Sequence, residues 1–144
     1  DVTGRFRAIC RGVRNWALEH EHEYFLIYGS PVPGYKAPTD TIAPATRVPR
    51  LLLTLLSEAA ETTDPMPDPL PAAVASAIAP LRAELPPSVS DRQVVAALSM
   101  FSGLFGSVSF ELNGQLHNVV KEGKSARNAY FDAMIEGWRS QVGL

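Results

Sequence analysis

The position of the prolines constrains this chain more than any other feature of its sequence. Nine of the twelve prolines lie between Pro31 and Pro71, and none lies after Pro87. Proline interrupts a helix because its ring clashes with the preceding turn and its nitrogen has no hydrogen to donate. The 144-residue chain therefore divides into a punctuated middle and a carboxy-terminal part in which helices can run without interruption.

Apolar residues after Pro87 recur every three or four positions, which is the spacing of a helix that buries one face. One series begins after Ser90, a capping residue, and consists of Val94, Leu98, Phe101, Phe105, Val108 and Leu112. A second begins after Ser125, which we expect to cap the last helix, and consists of Phe131, Met134, Ile135, Trp138 and Val142. The two series predict helices over 90–113 and about 126–142.

The same spacing predicts a first helix over about 4–20, with an apolar side formed by Phe6, Ile9, Val13 and Trp16. A short apolar segment over 24–28 predicts a second helix that ends at Gly29. Two alternatives remain open for the start of a third, leucine-rich helix that runs through Leu56. They are Thr41 with Pro44 in the first turn, and Thr46 with Pro49 in the first turn.

Residues 70–85 predict either one helix kinked at Pro80 or two short helices, after a proline-rich loop at 64–71. No segment shows a convincing alternation with a period of two, the pattern of a half-buried strand. The sequence therefore predicts an all-α fold of about six helices, in one domain that spans 1–144.

Composition excludes several classes of function. With 46% hydrophobic and 19% charged residues, the chain is too apolar to be intrinsically disordered. Its net charge of −2 makes this chain by itself a poor binder of nucleic acid. Cys10, the single cysteine, excludes an internal disulfide and favours a reducing compartment, so we expect a cytoplasmic protein. The longest strongly apolar run, 51–56, is too short to cross a bilayer, and we expect no membrane association.

Side chains capable of catalysis or metal binding are sparse. The run Glu19-His-Glu-His-Glu23 carries metal-binding groups, but residues two apart point away from each other on a helix. A metal site there requires an irregular backbone and further ligands, and a solvated helix junction is the simpler interpretation. His117 has no acidic or cysteine neighbour in sequence. Acids and histidines can still converge in three dimensions, yet we expect no catalytic residue, no bound metal, no cofactor and no enzymatic activity.

Arg7, Arg11 and Arg14 form a stripe on another side of the first helix. Such a stripe can contact phosphate, but it is more often a solvated face or an anchor for a neighbouring acidic surface. We therefore favour a solvated face or an anchor over a contact with phosphate.

The predicted 90–113 helix has a second face of mostly small side chains: Val95, Ser99, Ser102, Gly103, Gly106 and Phe110. Glycine inside a helix costs about 1 kcal/mol relative to alanine, so the glycines indicate a close helix crossing. That crossing lies either within one subunit or between two. We prefer a two-fold homodimer with a four-helix interface, to which the last helix contributes Phe131, Ile135 and Trp138.

Several longer motifs resemble one known family. They are the segment from Trp16 to Tyr35 with its Gly29-Ser-Pro-Val-Pro-Gly-Tyr35 block, Ala43-Pro-Ala-Thr-Arg-Val-Pro49, and Leu104-Phe-Gly-Ser-Val-Ser-Phe-Glu-Leu112. From about Arg5 to its end, the chain resembles the carboxy-terminal regulatory domain of TetR-family transcriptional regulators, most of all a group common in actinobacteria. The resemblance implies that a helix-turn-helix domain which binds operator DNA precedes Asp1 and is absent from this chain. It also implies that the last two helices form the dimer.

A TetR-like sensor further implies a pocket for a small apolar effector between the first, third and fifth helices, and release of operator DNA when the effector binds. We expect its wall to contain Val13, Trp16, Tyr28, Leu51, Phe101 and Phe105. The alternative is a ligand-independent dimerisation module with a filled core. Two positions depart from the group: Phe101 stands where tryptophan is frequent, and Asn113 where an aromatic residue is frequent.

Overall fold

The computed structural model describes residues 1–30, 33–36, 38–39, 45–58, 69–87 and 89–144. These residues form six α-helices: α1 (Val2–Glu19), α2 (Glu21–Tyr28), α3 (Arg47–Glu58), α4 (Ala72–Arg82), α5 (Asp91–Leu112) and α6 (Lys124–Gln141). No strand occurs in the described ranges. The structure therefore confirms the prediction of an all-α fold with about six helices.

Helix α5 begins as its sequence predicts, whereas α6 does not. The hydroxyl of Ser90 accepts a hydrogen bond from the Gln93 N–H at 3.2 Å, and the Gln93 side chain accepts one from the Ser90 N–H at 2.8 Å. This reciprocal pair satisfies two helix N–H groups. The prediction that Ser125 caps α6 is wrong, because α6 begins at Lys124 after Gly123. Gly123 has a φ of 108°, a backbone conformation that favours glycine over serine.

The structure also decides two alternatives in the middle of the chain. Helix α3 begins after Thr46 and has Pro49 in its first turn. Proline is tolerated there because N–H groups of the first turn make no hydrogen bond within the helix. Thr41 and Pro44, the other possible start, lie outside the described residues, as does 64–68 of the predicted loop. Residues 72–82 form one helix with Pro80 inside its last turn, and not two.

Helices α1 and α5 form the centre of the fold, since each packs against several of the others. The main core contains side chains from five helices: Phe6, Cys10, Ala17, Tyr24, Leu52, Leu55, Leu56, Met100, Leu104, Phe105, Val108, Phe131 and Ile135. A smaller cluster of Ile78, Val89 and Val94 joins α4 to the beginning of α5. Helix α5 is thus buried against α1, α3, α4 and α6.

Helix α5 is the one described helix long and apolar enough, by length and composition alone, to cross a membrane. Core helices of globular proteins have the same length and composition. The inward side chains Val94, Met100, Leu104 and Val108 are almost completely buried within the fold, as expected of a core helix.

The arginine stripe of α1 anchors the helix to acidic side chains. Arg7 binds Glu136 through two hydrogen bonds of 2.6 and 2.9 Å, and Arg11 binds Asp132 at 2.8 Å. Both carboxylates lie on α6, on successive turns. Arg5 pairs in addition with Glu58 on α3. These pairs are substantially exposed, so each contributes little energy by itself, but together they fix the register of α1 against its neighbours.

Arg14 differs from the other arginines because it is buried, with only 5% of its surface exposed. It donates a bidentate pair of hydrogen bonds of 2.6 and 2.7 Å to Glu111 on α5, and a third of 2.9 Å to Asn128 on α6. Its guanidinium carbon also lies 4.9 Å from the centre of the Phe131 ring. One side chain therefore joins α1, α5 and α6.

The substitution Arg14→Met removes the charge while keeping much of the side-chain volume. It leaves the Glu111 carboxylate without its bidentate partner in a site that is 13% exposed, which costs about 3–5 kcal/mol of unfolding free energy. Urea unfolding followed by circular dichroism measures this loss. The double variant Arg14→Met, Glu111→Gln should recover a large part of it, and a single-variant loss below about 1 kcal/mol would contradict this account.

Glu136 makes the stability of the α1–α6 contact depend on pH. Hydrogen bonds from Arg7 and then Arg139 lower the pKa of Glu136 from 4.5 to about 2. A carboxylate with a lowered pKa stabilises the fold above its unfolded pKa, and this stabilisation is lost as the pH falls through the folded value. The melting temperature of wild type should exceed that of Glu136→Gln at pH 6, and the difference should shrink between pH 4.5 and pH 2.

Glu84→Gln is the matched control for this pH dependence, because no described residue pairs with the Glu84 side chain. It should follow the wild-type melting profile over the whole pH range. A constant difference between wild type and Glu136→Gln down to pH 2 would show that Glu136 acts through packing and not through its charge.

Candidate ligand cavity and subunit interface

Aromatic side chains from α1, α2 and α5 form a connected row beside the core. Tyr28 and Phe105 have ring centres 4.4 Å apart, and Phe105 and Phe101 are 4.6 Å apart. Trp16 joins the row through Tyr24, at 6.4 Å. The row therefore connects α1 and α2 to the middle of α5, one ring at a time.

Tyr24 fixes this row in place, although the sequence analysis did not single it out. Its side chain is completely buried, and its hydroxyl donates to the Phe105 carbonyl at 3.0 Å and lies 2.7 Å from the Ser109 hydroxyl. Burial raises the pKa of Tyr24, so the hydroxyl remains protonated and can keep donating. The signal that could have found it is the tyrosine in an otherwise apolar segment, since buried tyrosine hydroxyls need partners.

The six residues expected in the pocket wall lie in different environments. Phe105 is buried and Phe101 is half-buried, and both belong to the aromatic row. Val13 packs against the main core, while Trp16 and Tyr28 each remain 37% exposed. Leu51 is 53% exposed, on the outer side of α3. The fold thus brings Tyr28, Phe101 and Phe105 into contact but does not bring Leu51 to them.

A cavity of about 120 Å³ lies where α3, α4 and α5 meet. The residues that line it are all apolar: Pro49, Leu52, Leu53, Leu81, Ala97, Leu98 and Phe101. Phe101 is the one member that the sequence analysis also placed in a pocket wall. Leu52 and Leu53 line it instead of Leu51, because one residue along a helix turns the side chain by 100°. Small Ala97 among large side chains is the sequence signal for this space.

A second, wider space of about 490 Å³, with a more polar lining, lies next to the cavity between α3 and the end of α4, and we call it the mouth. Pro49, Leu53 and Leu81 line both spaces. The mouth is further lined by Thr46, Arg50, Thr54, Ser57, Glu84, Leu85 and Pro86. The inner cavity and the mouth are therefore adjacent, and the lining becomes more polar from the first to the second.

The small-residue face of α5 lies largely at the surface. Ser99, Ser102 and Gly106 are exposed, and Phe110 has 58% of its surface exposed. A groove of about 330 Å³ follows this face between α5 and α6, lined by Gly103, Gly106, Ser107, Phe110, Leu116, Tyr130 and Met134. The exposed Phe110 and Tyr130 rings therefore lie beside bare glycine backbone in one groove.

The two glycines of this face have different roles. A Cβ on Gly103 would lie 2.8 Å from Nε1 of Trp138, so the indole of α6 packs directly on the Gly103 backbone within one subunit. A Cβ on Gly106 would meet nothing within 4 Å. The alternative of a crossing inside the subunit therefore holds for Gly103, whereas Gly106 leaves an open surface on α5.

The remaining residues expected at the interface lie deeper. Phe131 and Ile135 are buried in the chain's own core, and Trp138 is half-buried over Gly103. Val95 packs beside the cluster that joins α4 to α5. The surface that α6 presents next to the groove is formed by Tyr130 and Met134. The sequence placed Met134 on the apolar face of the last helix and assigned Tyr130 to no face.

The acidic and histidine-rich run between α1 and α2 is a helix junction. The His20 ring stacks on Trp16 at 5.9 Å, and its Nδ1 lies 3.7 Å from the Glu23 carboxylate. His117 lies 3.0 Å from the Glu122 carboxylate. Within the described residues, no cluster of three or more histidine, cysteine, aspartate or glutamate side chains could hold a metal ion.

Comparison with known proteins agrees with this fold. The family described as "Tetracyclin repressor-like, C-terminal domain" matches residues 6–137, which is most of the chain. The chain therefore belongs to the TetR family of transcriptional regulators and corresponds to their helical C-terminal domain. This confirms the resemblance found in the sequence, and the family is one of regulators and not of enzymes.

Individual relatives come from mycobacteria. HTH-type transcriptional regulator Mb1846 of Mycobacterium bovis is 36% identical over 111 residues, which cover 75% of this chain and 47% of the relative. HTH-type transcriptional regulators MT1864 and Rv1816 of Mycobacterium tuberculosis match with the same identity and coverage. The chain thus spans about half the length of these relatives.

Proposed function

We propose that this chain is the effector-sensing and dimerisation domain of a transcriptional repressor that releases operator DNA when a small apolar ligand binds. The observation that carries the proposal is the wholly apolar cavity between α3, α4 and α5, next to the aromatic row. In this proposal the helix-turn-helix domain precedes α1, outside these 144 residues, and operator DNA is bound only through it. Cys10, buried and unpaired, is compatible with a cytoplasmic regulator.

The contacts of the cavity supply a path for the response. Phe101 lines the cavity and contacts Phe105, which contacts Tyr28 on α2. A ligand that moves Phe101 therefore acts on the α1–α2 unit, which the arginine pairs hold against α6. The ligand shifts the equilibrium only by the difference between its affinities for the two arrangements. Of the expected wall, Phe101 lines this cavity, and Phe105 and Tyr28 follow it in the aromatic row. Val13, Trp16 and Leu51 remain expected wall residues, although this cavity does not include them.

We further propose a two-fold homodimer in which α5 and α6 of both subunits form a four-helix interface. The exposed small side chains of α5, the open Gly106 backbone and the exposed Phe110 support it. Helices approach closely where side chains are small, and exposed aromatic groups gain most from burial. The operator half-sites of a helix-turn-helix dimer lie about 34 Å apart, so a small change in dimer geometry is enough to weaken DNA binding.

Ala97→Leu tests the cavity, because the added isopropyl group occupies the space that a ligand would need. The probe is N-phenyl-1-naphthylamine, an uncharged dye whose fluorescence rises in apolar surroundings. Wild type should bind it, and Ala97→Leu should bind it at least about tenfold more weakly while its melting temperature stays the same or rises. A chain that binds no dye would be a ligand-independent dimerisation module.

Ala96→Leu is the matched control, since Ala96 is buried to the same degree as Ala97 on the same helix but does not line the cavity. The larger side chain has no space there and should lower the unfolding free energy by about 1–3 kcal/mol. Dye binding should persist in the folded variant. Equal destabilisation of both variants would show that the space beside Ala97 is already filled.

Gly106→Leu tests the dimer by placing a bulky side chain where a partner helix would approach. Sedimentation velocity should show a shift from dimer towards monomer. Gly12→Leu is the control, because Gly12 is also an exposed helical glycine with nothing within 4 Å of an added Cβ, but lies on α1. It should remain dimeric, and a dimeric Gly106→Leu would place the interface elsewhere.

A further inference from the structure

The change in polarity along the ligand site restricts the kind of ligand that fits it. The inner cavity has only apolar lining residues, from Pro49 to Phe101. The mouth keeps three of them and adds hydroxyl groups, a guanidinium and a carboxylate. A molecule that is apolar throughout can use only the inner cavity, whereas one with an apolar tail and a polar head also makes contacts in the mouth.

Arg50 is the cation of the mouth, and its guanidinium has no partner among the described residues. Most of the other arginines bind carboxylates: Arg5, Arg7, Arg11, Arg14, Arg82, Arg127 and Arg139. A guanidinium binds a carboxylate or phosphate through two parallel hydrogen bonds. Arg50 also lies in the first turn of α3, at the positive end of the helix dipole, which favours an anionic group.

Two hydroxyl groups of α3 beside Arg50, those of Thr54 and Ser57, have already used their protons. Thr54 donates to the Arg50 carbonyl at 2.9 Å, and Ser57 donates to the Leu53 carbonyl at 2.9 Å. Their oxygens can accept hydrogen bonds but have no proton left for an anion. Among these three side chains of α3, only the Arg50 guanidinium can therefore bind an anionic head group.

Glu84, on the opposite wall of the mouth, carries the opposing charge. It lies just beyond the carboxyl end of α4, where the helix dipole is negative. Arg82 offsets that end, because its guanidinium donates to the carbonyls of Leu85, Pro86 and Pro87 and pairs with Asp91. Glu84 itself, like Arg50, has no partner among the described residues, so the helix ends decide the sign of the head group. The negative end of α4 is offset by Arg82, whereas the positive end of α3, where Arg50 lies, favours an anion.

We infer that the effector is an anionic amphiphile, with an alkyl or acyl tail in the apolar cavity and an acidic head on Arg50. This inference rests on the proposed sensing function and adds the chemical class of its ligand. The tail contacts Leu52, Ala97 and Phe101, and the head leaves the protein through the mouth, where Arg50 meets it at the surface.

Isothermal titration calorimetry of the 144-residue chain with three eight-carbon probes tests the inference. The probes are octanoate, 1-octanol and octyltrimethylammonium, which share a tail and differ in head charge. Octanoate should bind about tenfold or more tightly than 1-octanol, and the cation should bind most weakly. Arg50→Gln should remove the advantage of octanoate and leave the affinity for 1-octanol unchanged.

Arg47→Gln is the matched control, because Arg47 is an exposed arginine of the same helical turn that does not line the mouth. It should bind octanoate as wild type does. Equal affinities for octanoate and 1-octanol, a preference for the cation, or an unchanged octanoate affinity in Arg50→Gln would each overturn the inference.

The test of the ligand class can fail without the proposed sensing function failing. If the naphthylamine dye binds in the cavity and none of the three eight-carbon probes does, the anionic-amphiphile class is wrong while the sensing function stands. If neither the dye nor any probe binds, the sensing function itself is wrong.

Discussion

The buried ion pair between Arg14 and Glu111 is the contact on which the arrangement of the other helices depends. A bidentate pair has one favourable geometry, so it fixes both the distance and the rotation of α1 against α5. The third bond, to Asn128, extends the constraint to α6. Because α2 follows α1 after a single residue, the same crossing places Tyr24 and Tyr28 against Phe105.

Burying an ion pair at this position costs free energy, because both ions lose most of their hydration. Apolar side chains of similar volume could hold the three helices with comparable stability. What the ion pair adds is a requirement for one register, since a slip of α1 by one turn would leave Arg14 and Glu111 buried without partners. The exposed pairs of Arg7 and Arg11 with α6 repeat the same register towards the amino-terminal end of α1.

This fixed frame explains how a cavity can persist beside a well-packed core. On the α1 side of α5, the side chains of Met100, Leu104 and Val108 are almost completely buried. On the α3–α4 side, Ala97 and Phe101 are one turn apart, so a short side chain lies next to a long one and leaves about 120 Å³ between the helices. Collapse of α3 into that space would strain its contacts with α1, including the pair between Arg5 and Glu58.

The sequence by itself determined the helices and the class of fold, because proline placement, helical spacing and the Ser90 cap act over a few residues. Its longer motifs also indicated the family, and the comparison with known families confirms that family. Only the tertiary structure decided which side chain of each helix faces which neighbour. Periodicity groups Phe131 with Trp138 and Gly103 with Gly106, but it cannot tell a crossing inside a subunit from a free surface. Likewise, Leu51 and Leu52 are equivalent in sequence, and only the rotation of α3 about its own axis, which its packing in the fold sets, sends one to the surface and the other to the cavity.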